Sequence, residues 1–450
     1  MGWRGGVALG VAVGLLGLLG PVRDATDPAE ATPGPPNILF VLTDDQSFEA
    51  LPYGLPLLDS EPGGHWVRFE NAFFNTSLCC PSRATMLTGQ YAHHHRVLTN
   101  KLGIRLDDTS TVATWLDDAG YRTGLVGKYL NQYPFPQRGP VAPPGWDTWV
   151  AFKGAIAYKD FDTIDGQGVV KSHPQGYSTD VITKFAERFV DEPSPDPFFL
   201  FLAYNAPHAP GTPAPRHQGE YRGLPIDHAP NFNEVDVSDK PRWVRDRPLL
   251  TTKGIRKLDR NRRKAYESLL AVDEGIAQLF ESLDDQGSLD DTIVVFMTDN
   301  GFSWGEHRFR TKPCPYEECS RTPLLIRYPD GPESTRTVDD LVSNIDIAPT
   351  LTELAGATPA SPVDGTSLVP FLEETTPDTR DGILLEWRGV EKLPSYWGVR
   401  TTTHKWVEYD NGEQELYDLI EDPYELENLA GTAPALEAEL HDLLVDLRSS

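Results

Sequence analysis

Basic residues are scarce in this 450-residue chain, which carries 40 lysines and arginines against 67 aspartates and glutamates. The formal net charge is −27 and the isoelectric point is about 4.7. Such an acidic chain repels polyanions, so we expect no nucleic-acid binding and no docking on anionic membranes. The exception is the stretch 240–264, which holds eleven basic residues. Runs like this are usually solvated helix surfaces, and holding an anionic polymer is the second interpretation.

Long apolar runs are also rare. The uncharged run Val7–Gly20 follows Arg4 and is short for a bilayer span. We therefore interpret residues 1–25 as a signal peptide and 26–36, rich in Asp, Pro and Ala, as a disordered leader. No cysteine follows the run, so a lipid-attachment box is absent. We expect an exported protein (secreted, periplasmic or in a lysosome-type compartment) without a stable membrane anchor.

Cysteines number only four, at positions 79, 80, 314 and 319. In an exported protein, Cys314 and Cys319 can close a short disulfide loop. Metal binding by this pair is the alternative, although no His or Cys partner with ligand spacing lies nearby.

The pattern of apolar residues predicts an α/β fold. Continuous β-rich runs at 37–43, 121–126, 197–203, 292–298 and 323–328 are typical of strands buried on both faces. Helices are predicted at 111–119, 178–190, 262–283, 344–356 and 434–447, and loops that wall a cleft at 132–171. Short alternating runs at 383–387, 396–401, 405–409 and 415–417 favour an antiparallel sheet. We predict a central mixed, mostly parallel sheet within a catalytic domain, 37–375, and a small C-terminal α+β subdomain with an antiparallel sheet, 376–450.

Acid and amide side chains follow two of these runs. Asp44 and Asp45 end the first, and Asp299 and Asn300 end the one at 292–298. Open α/β sheets place ligands at the carboxyl ends of their strands. Paired carboxylates there repel each other unless a cation neutralises them, and hard oxygen ligands suit Ca²⁺ or Mg²⁺. A solvated turn is the usual alternative for a bare Asp-Asp pair.

Residues 79–83 (Cys-Cys-Pro-Ser-Arg) begin a run that ends at Gly89 and is typical of a helix. A cysteine at a helix start lies where the dipole and free N–H groups favour negative charge, and Arg83 adds a fixed positive charge. From local chemistry alone, an anion-binding nucleophile and a buried cysteine pair are equally good interpretations.

The same residues fit a C-x-P-S-R pattern and resemble the signature of the sulfatase family, whose first cysteine is oxidised to formylglycine. Further stretches resemble the family in its own order: 37–46, 127–128, 206–210, 299–301, 343–356 and 415–429. Within the family, residues 79–83, 127–131 and 262–274 most resemble the N-acetylglucosamine-6-sulfatase and heparan endosulfatase branch. The resemblance implies an alkaline-phosphatase-like sandwich, hydrolysis of a sulfate ester on a sulfated sugar, and a formylglycine-generating enzyme as partner.

By this resemblance, one Ca²⁺ ion is bound by the following residues: Asp44, Asp45, modified Cys79, Asp299 and Asn300. The aldehyde at position 79 hydrates to a diol, one hydroxyl attacks sulfur, and the second later expels sulfate. Lys312 holds sulfate oxygens, and Arg83 and Lys128 stabilise the ionised diol. His208, in a rigid loop between two prolines, is the general acid.

One departure from the family pattern concerns the base for sulfate elimination. Many arylsulfatases place a histidine two residues after the lysine, where this chain has Leu130. His307 is our choice for this base among the available histidines. Two other functions are weighed: a phosphatase or phosphonate monoester hydrolase of the same superfamily, and a non-catalytic sulfated-glycan-binding protein.

Overall fold

The structure is a computed structural model that describes residues 34–135, 137, 142–154, 156–389 and 393–449. The expected signal peptide and the leader up to residue 33 lie outside the described residues. From residue 35 onward the chain forms one compact unit. In the described part of the chain, no helix combines the length and the apolar character needed to cross a membrane.

Strands and helices alternate through the first three quarters of the chain. The described strands are β1 (Asn37–Asp44), β2 (Trp66–Phe69), β3 (Ala72–Phe73), β4 (Arg122–Gly127), β5 (Thr148–Lys153), β6 (Phe161–Asp165), β7 (Val170–His173), β8 (Phe198–Pro207), β9 (Thr292–Thr298), β10 (Leu324–Arg327), β11 (Arg336–Val338), β12 (Val342–Ser343), β13 (Ile383–Trp387), β14 (Tyr396–Arg400), β15 (His404–Tyr409) and β16 (Gln414–Asp418). The described α-helices are α1 (Leu51–Gly54), α2 (Pro56–Asp59), α3 (Cys79–Thr88), α4 (Ala92–His95), α5 (Val112–Asp118), α6 (Ser178–Val190), α7 (Arg242–Arg245), α8 (Thr252–Asp285), α9 (Glu317–Ser320), α10 (Ile347–Leu354), α11 (Val369–Leu372) and α12 (Pro434–Ser449).

The central sheet has ten strands in the order β11-β2-β10-β9-β1-β8-β4-β5-β6-β7. Its five middle strands, β9, β1, β8, β4 and β5, run parallel to one another, whereas β10 pairs antiparallel with β9, β6 with β5, and β7 with β6. This confirms the predicted mixed sheet with a parallel centre.

Both faces of the sheet are buried, and alternate residues of β1 divide between them. Ile38, Phe40 and Leu42 join a core that also contains residues of α3, α5 and α10. Leu39 and Val41 point into the opposite core, which contains residues of α6 and α8. Because side chains of a strand alternate between faces, an unbroken apolar run can serve a sheet covered by helices on both sides.

The C-terminal strands form a separate antiparallel sheet in the order β13-β14-β15-β16, with α12 packed on it. This confirms the predicted small antiparallel sheet. It is joined closely to the rest of the chain, since Ile383 and Leu385 share a core with Phe73 and Leu78. The Asn75 side chain also donates to the Leu384 carbonyl.

Two predicted boundaries are wrong. The segment 132–171 is not all loop, because its described residues include β5, β6 and β7. Helix α8 begins at Thr252 rather than near Arg262. Thr251 caps it, since the Thr251 hydroxyl accepts a bond from the Gly254 N–H, and the basic residues that follow form an exposed face of the helix.

Candidate active site

Four parallel strands bring their carboxyl ends to one edge of the sheet. Thr43 of β1 pairs with Thr298 of β9, and Asp44 pairs with Pro207 of β8. The Lys128 N–H, just after β4, donates to the Ala203 carbonyl of β8. This register collects the residues that follow the strands: Asp44, Asp45, Lys128, His208, Asp299 and Asn300.

The turn after β1 aims two carboxylates in one direction. Asp45 has a φ of 65° in the left-handed region, and its N–H donates to Asp299 Oδ1 at 3.2 Å. The ligand-capable oxygens of Asp44, Asp45 and Asp299 and the sulfur of Cys79 all lie within 4.8 Å of one another. All four residues are buried. The side chains that follow β1 and β9 therefore form a buried cluster and do not lie in solvated turns.

Helix α3 begins at Cys79 and is buried along its whole length. Leu78 precedes it in extended conformation, and Gly89 ends it at a φ of 66°. The Cys79 thiol lies 3.8 Å from Asp44 Oδ1. The neighbouring Cys80 thiol turns elsewhere and accepts from the Asn131 N–H at 3.0 Å. Of the two cysteines, Cys79 is the one that faces the carboxylates.

Three cations surround the carboxylates. Lys128 Nζ lies 2.5 Å from Asp44 Oδ2 and 3.6 Å from Asp299 Oδ2. Arg83 Nε donates to Asp299 Oδ2 at 2.8 Å, and Arg83 Nη1 donates to the Lys128 carbonyl. Arg83 thus contacts two groups beside Cys79, the Asp299 carboxylate and the Lys128 carbonyl. Its predicted effect on a diol at position 79 would be electrostatic.

The third cation, Lys312, lies inside the cluster. Its ammonium contacts Asp45, donates to Asn300 Oδ1 at 2.9 Å and lies 2.7 Å from the Cys79 sulfur. Two residues after Lys312, a disulfide between Cys314 and Cys319 closes a short loop. This confirms the disulfide interpretation and makes metal binding by that pair wrong, since both sulfurs are bonded to each other.

Burial and charge shift several pKa values in opposite directions. Burial alone would raise the pKa of Asp44, but the charges of Lys128, His208, Lys312 and Arg83 outweigh it and lower that pKa. Burial raises the pKa of the Cys79 thiol well above its usual range. The thiol as encoded is consequently protonated and a poor nucleophile.

The donor set fits a hard divalent cation. The Lys312 ammonium already places one positive charge among the oxygens of Asp45 and Asn300. Burial lowers the pKa of Lys312 to about 8, against the opposing charge of Asp44. Burial and the charge of Asp44 raise the pKa of Asp299, and the charges of Arg83 and Lys128 offset this only in part. The four oxygen-bearing side chains Asp44, Asp45, Asp299 and Asn300 match the preference of Ca²⁺ or Mg²⁺ for oxygen ligands.

His208 lies at the mouth of this cluster. Its side chain is 38% exposed, and its Nε2 is 3.7 Å from Asp45 Oδ2. Its backbone carbonyl accepts from the Tyr158 hydroxyl at 2.8 Å. His208 and Lys128 line the same open cavity of about 520 Å³. The imidazole is therefore much more exposed than the carboxylates of the cluster.

The structure does not bring His307 to the cluster. His307 is fully buried, donates from Nδ1 to Glu234 Oε2 at 2.7 Å and stacks on Tyr316. Asn231 contacts its Nε2 at 3.2 Å. None of the contacts found among the described residues joins His307 to Cys79 or its neighbours. The chain turns between His307 and Lys312, which sequence spacing does not reveal. His307 is therefore packed against Glu234 and Tyr316 and not beside Cys79.

Two residues that line the cavity were not predicted from the sequence. Asn100 and Lys101 line it, and Asn100 Oδ1 accepts from the Cys80 N–H at 2.9 Å. These residues lie in an irregular segment between helices, where no periodicity marks them. Tyr158, which positions His208, falls in the segment expected to wall the cleft, but no feature of the sequence distinguishes it from the other aromatic residues there.

Comparison with known families gives two matches. Residues 36–357 match the family model described as Sulfatase. Residues 305–450 match the model of the N-sulphoglucosamine sulphohydrolase C-terminal region. Together they span nearly all of the described chain.

Individual relatives agree with these models. The chain is 32% identical to the N-acetylglucosamine-6-sulfatase of Homo sapiens, over 92% of this chain and 84% of that protein. It is 29% identical to the N-acetylglucosamine-6-O-sulfatase of Bacteroides thetaiotaomicron, over 88% and 83%. A protein solved in complex with its substrate D-glucosamine-2-N,6-O-disulfate superposes with a TM-score of 0.80 at 28% identity, covering 92% of this chain and 97% of that one.

Proposed function

The chain belongs to the sulfatase family, and from that premise we propose that it removes sulfate from a sulfated sugar of the N-acetylglucosamine-6-sulfate type. Membership makes it a sulfuric ester hydrolase. The observation that carries the proposal is the environment of Cys79, which begins a buried helix with the Lys312 ammonium 2.7 Å from its sulfur and three carboxylates around it.

The nucleophile is a formylglycine hydrate made from Cys79 by a formylglycine-generating enzyme. The encoded thiol does not fit hydrolysis, because burial keeps it protonated. A hydrated aldehyde supplies two hydroxyls on one carbon. One attacks sulfur and displaces the sugar alcohol, and the other loses its proton as the carbonyl reforms and sulfate leaves. A serine has no second hydroxyl with which to break its own sulfate ester.

The surrounding side chains have separable tasks. Lys312 contacts the nucleophile position and can hold a sulfate oxygen. Lys128 and Arg83 add fixed positive charge beside the ionising diol, and their ion pairs with Asp44 and Asp299 orient them. His208 is open to the cavity and close to Asp45, so it is placed to give a proton to the departing alcohol.

A calcium ion is the cation proposed for the carboxylates. Asp44, Asp45, Asp299 and Asn300 would hold it, together with the modified side chain at position 79. When bound, such an ion neutralises the carboxylates and polarises sulfate oxygens.

The substrate assignment rests on the relatives. Two of them are named N-acetylglucosamine-6-sulfatases, and a structural neighbour binds a 6-O-sulfated glucosamine. Export, proposed from the apolar run near the N-terminus, agrees with an extracellular sulfatase from Drosophila melanogaster, 30% identical over 80% of this chain. This chain covers 33% of that longer protein.

The test combines mass spectrometry with sulfate release. Peptides carrying position 79 from the native host should have the mass of an aldehyde or its hydrate. The protein should release sulfate from N-acetylglucosamine-6-sulfate, the Cys79→Ala variant should not, and Cys80→Ala is the matched control. An unmodified thiol in active protein would contradict the nucleophile. Faster hydrolysis of aryl phosphate than of aryl sulfate would favour a phosphatase.

A further inference from the structure

A second cavity, of about 550 Å³, lies beside the loop that carries Lys312. Four arginines line this arginine cavity: Arg242, Arg247, Arg308 and Arg310. Among its described lining residues the one acid is Asp246. Asp246 pairs with Arg242 at 3.3 Å, and both side chains are mostly exposed. The cavity therefore keeps an excess of positive charge in a chain whose net charge is −27.

Arg308 gives the cavity a fixed charge. Its guanidinium donates to the backbone carbonyls of Glu234, Val235 and Arg247 at 2.7, 2.7 and 2.9 Å. Carbonyl oxygens orient a guanidinium without neutralising it. No described carboxylate forms a direct ion pair with Arg308, although Glu234 and Asp236 interact with its charge from further away.

Arg247 is held by aromatic rings instead of acids. Its guanidinium lies 4.4 Å from the ring centre of Phe309 and 5.5 Å from that of Trp243. Its Nε is buried and finds no acceptor among the described residues. Burial and the neighbouring charge of Arg310 lower the pKa of Arg247. A buried donor without a protein acceptor, next to a like charge, needs an acceptor from outside the chain, which an anion or an ordered water supplies.

Arg310 connects the cavity to the active site. It is exposed, and no ion-pair partner for it occurs among the residues that the structure describes. Only Thr311 separates Arg310 from Lys312, whose ammonium reaches the Cys79 sulfur. Two residues of chain span at most about 7 Å between Cα atoms. With the reach of the Arg310 and Lys312 side chains added, an anion in the arginine cavity lies at most roughly 25 Å from the Cys79 sulfur, a separation that a sugar chain can span and a single sugar cannot.

Three other basic residues of the stretch 240–264 are engaged by partners within the chain. Lys240 is buried and donates to the Leu426 carbonyl, Arg245 pairs with Glu413, and Arg262 donates to the Tyr266 hydroxyl. Of the eleven basic residues in the stretch 240–264, Arg242 and Arg247 line the arginine cavity. Arg308 and Arg310, which are distant in sequence, complete its lining.

We infer that the arginine cavity is a second anion site, which binds a further sulfate group of a multiply sulfated sugar chain whose ester is hydrolysed at Cys79. The planar forks of four guanidinium groups suit a tetrahedral oxyanion. The inference rests on the proposed function and adds to it that the preferred substrate is an oligosaccharide with more than one sulfate. A single sulfated sugar fills the active site only.

The test replaces the two exposed arginines. An Arg242→Ala/Arg310→Ala variant is compared with Lys184→Ala/Arg188→Ala, which removes the same charge from an exposed face of α6. Substrates are N-acetylglucosamine-6-sulfate and a tetrasaccharide with sulfate on several residues. We expect the ratio of tetrasaccharide to monosaccharide kcat/KM to fall about tenfold in the cavity variant, through KM, and to stay constant in the control.

A binding measurement separates this inference from the proposed function. The Cys79→Ala protein, which cannot turn over, is titrated with the sulfated tetrasaccharide and with an unsulfated uronate tetrasaccharide. The cavity substitutions should weaken binding of the sulfated chain about tenfold even if no sulfate is ever released. Equal losses in the control pair, equal losses for both sugar sizes, or equal affinity for the unsulfated chain would overturn the second sulfate site. Unfolding midpoints by circular dichroism establish that each variant is folded.

Discussion

The Arg83 guanidinium donates through Nε to Asp299 Oδ2 at 2.8 Å, and both side chains are almost completely buried. The pair joins the start of α3 to the end of β9, so it ties the nucleophile position to the carboxylate cluster. Removing one member of a buried pair strands the other charge away from water.

We therefore expect Arg83→Ala to lower the free energy of unfolding by about 3–5 kcal/mol and to abolish sulfate release. Arg83→Lys keeps the charge but loses the fork, so it should fold better and remain strongly impaired. Urea unfolding and sulfate release measure the two effects. Arg256→Ala, at an exposed position of α8, is the control. A stable and fully active Arg83→Ala variant would contradict the structural role of the pair.

His208→Gln should reveal the general acid through its dependence on the leaving group. A sugar alcohol needs a proton as it departs, whereas a nitrophenolate hardly does. We expect kcat to fall about 100-fold with a sugar 6-sulfate and much less with nitrophenyl sulfate. His441→Gln, an exposed histidine, should leave both rates unchanged. Equal losses on both substrates would assign His208 to binding.

Chelation should inactivate the protein reversibly. Dialysis against a chelator should remove activity and lower the unfolding midpoint, because the buried carboxylates lose a cation that binds only the folded state. Added Ca²⁺ should restore both. Asp45→Asn should need at least about tenfold more Ca²⁺ for half-restoration, and Asp196→Asn, an exposed control, should behave as the parent. Full activity after exhaustive chelation would contradict the cation site.

The disulfide should stabilise the loop of Lys312. Cys314→Ala/Cys319→Ala should lower the free energy of unfolding by about 2 kcal/mol, the entropy expected for so short a loop. Because Lys312 lies two residues before Cys314, kcat should fall as well. Denaturant unfolding and sulfate release are the measurements. A variant with parental kcat would show that the Lys312 contacts hold the loop without the disulfide.

His307 should make stability depend on pH. Burial lowers its pKa to about 3, offset in part by Glu425 and deepened by Lys240 and Lys405. Between about pH 6.5 and 3, the His307 imidazole is protonated in the unfolded chain and neutral in the folded protein. The free energy of unfolding therefore falls as the pH falls, by up to about 1.4 kcal/mol per pH unit. The advantage of the parent over His307→Gln, measured by urea unfolding, should therefore shrink from pH 7 to pH 4. A constant difference would contradict the buried neutral histidine.

Local pattern predicted the strands well. Both Thr292–Thr298 and Ile383–Trp387 were expected at the bounds that the structure shows. Buried strands are predicted well because a short unbroken run of β-branched and aromatic residues is rarely found in any other kind of structure. The segment 132–171 was predicted poorly, because its three strands are short and are separated by stretches that contain Gly154, Gly166 and Gly168.

The residues around Cys79 could be named from sequence because parallel strands end at one edge and each carries its functional side chain next to an apolar run. That rule covers Asp44, Lys128, His208 and Asp299. It says nothing of Asn100, which no strand end delivers, nor of His307, which lies in a loop well past the end of β9.

The amino-acid sequence by itself determined the α/β class, the order of the strand-end residues and the start of α3 at Cys79, because these depend on neighbours in the chain. Tertiary structure alone decided that Lys312 enters the carboxylate cluster while His307 turns away to Glu234. It also decided that Arg242 and Arg247 meet Arg308 and Arg310 across some sixty residues of chain. The path of a loop is set by packing and buried charge, which no local pattern records.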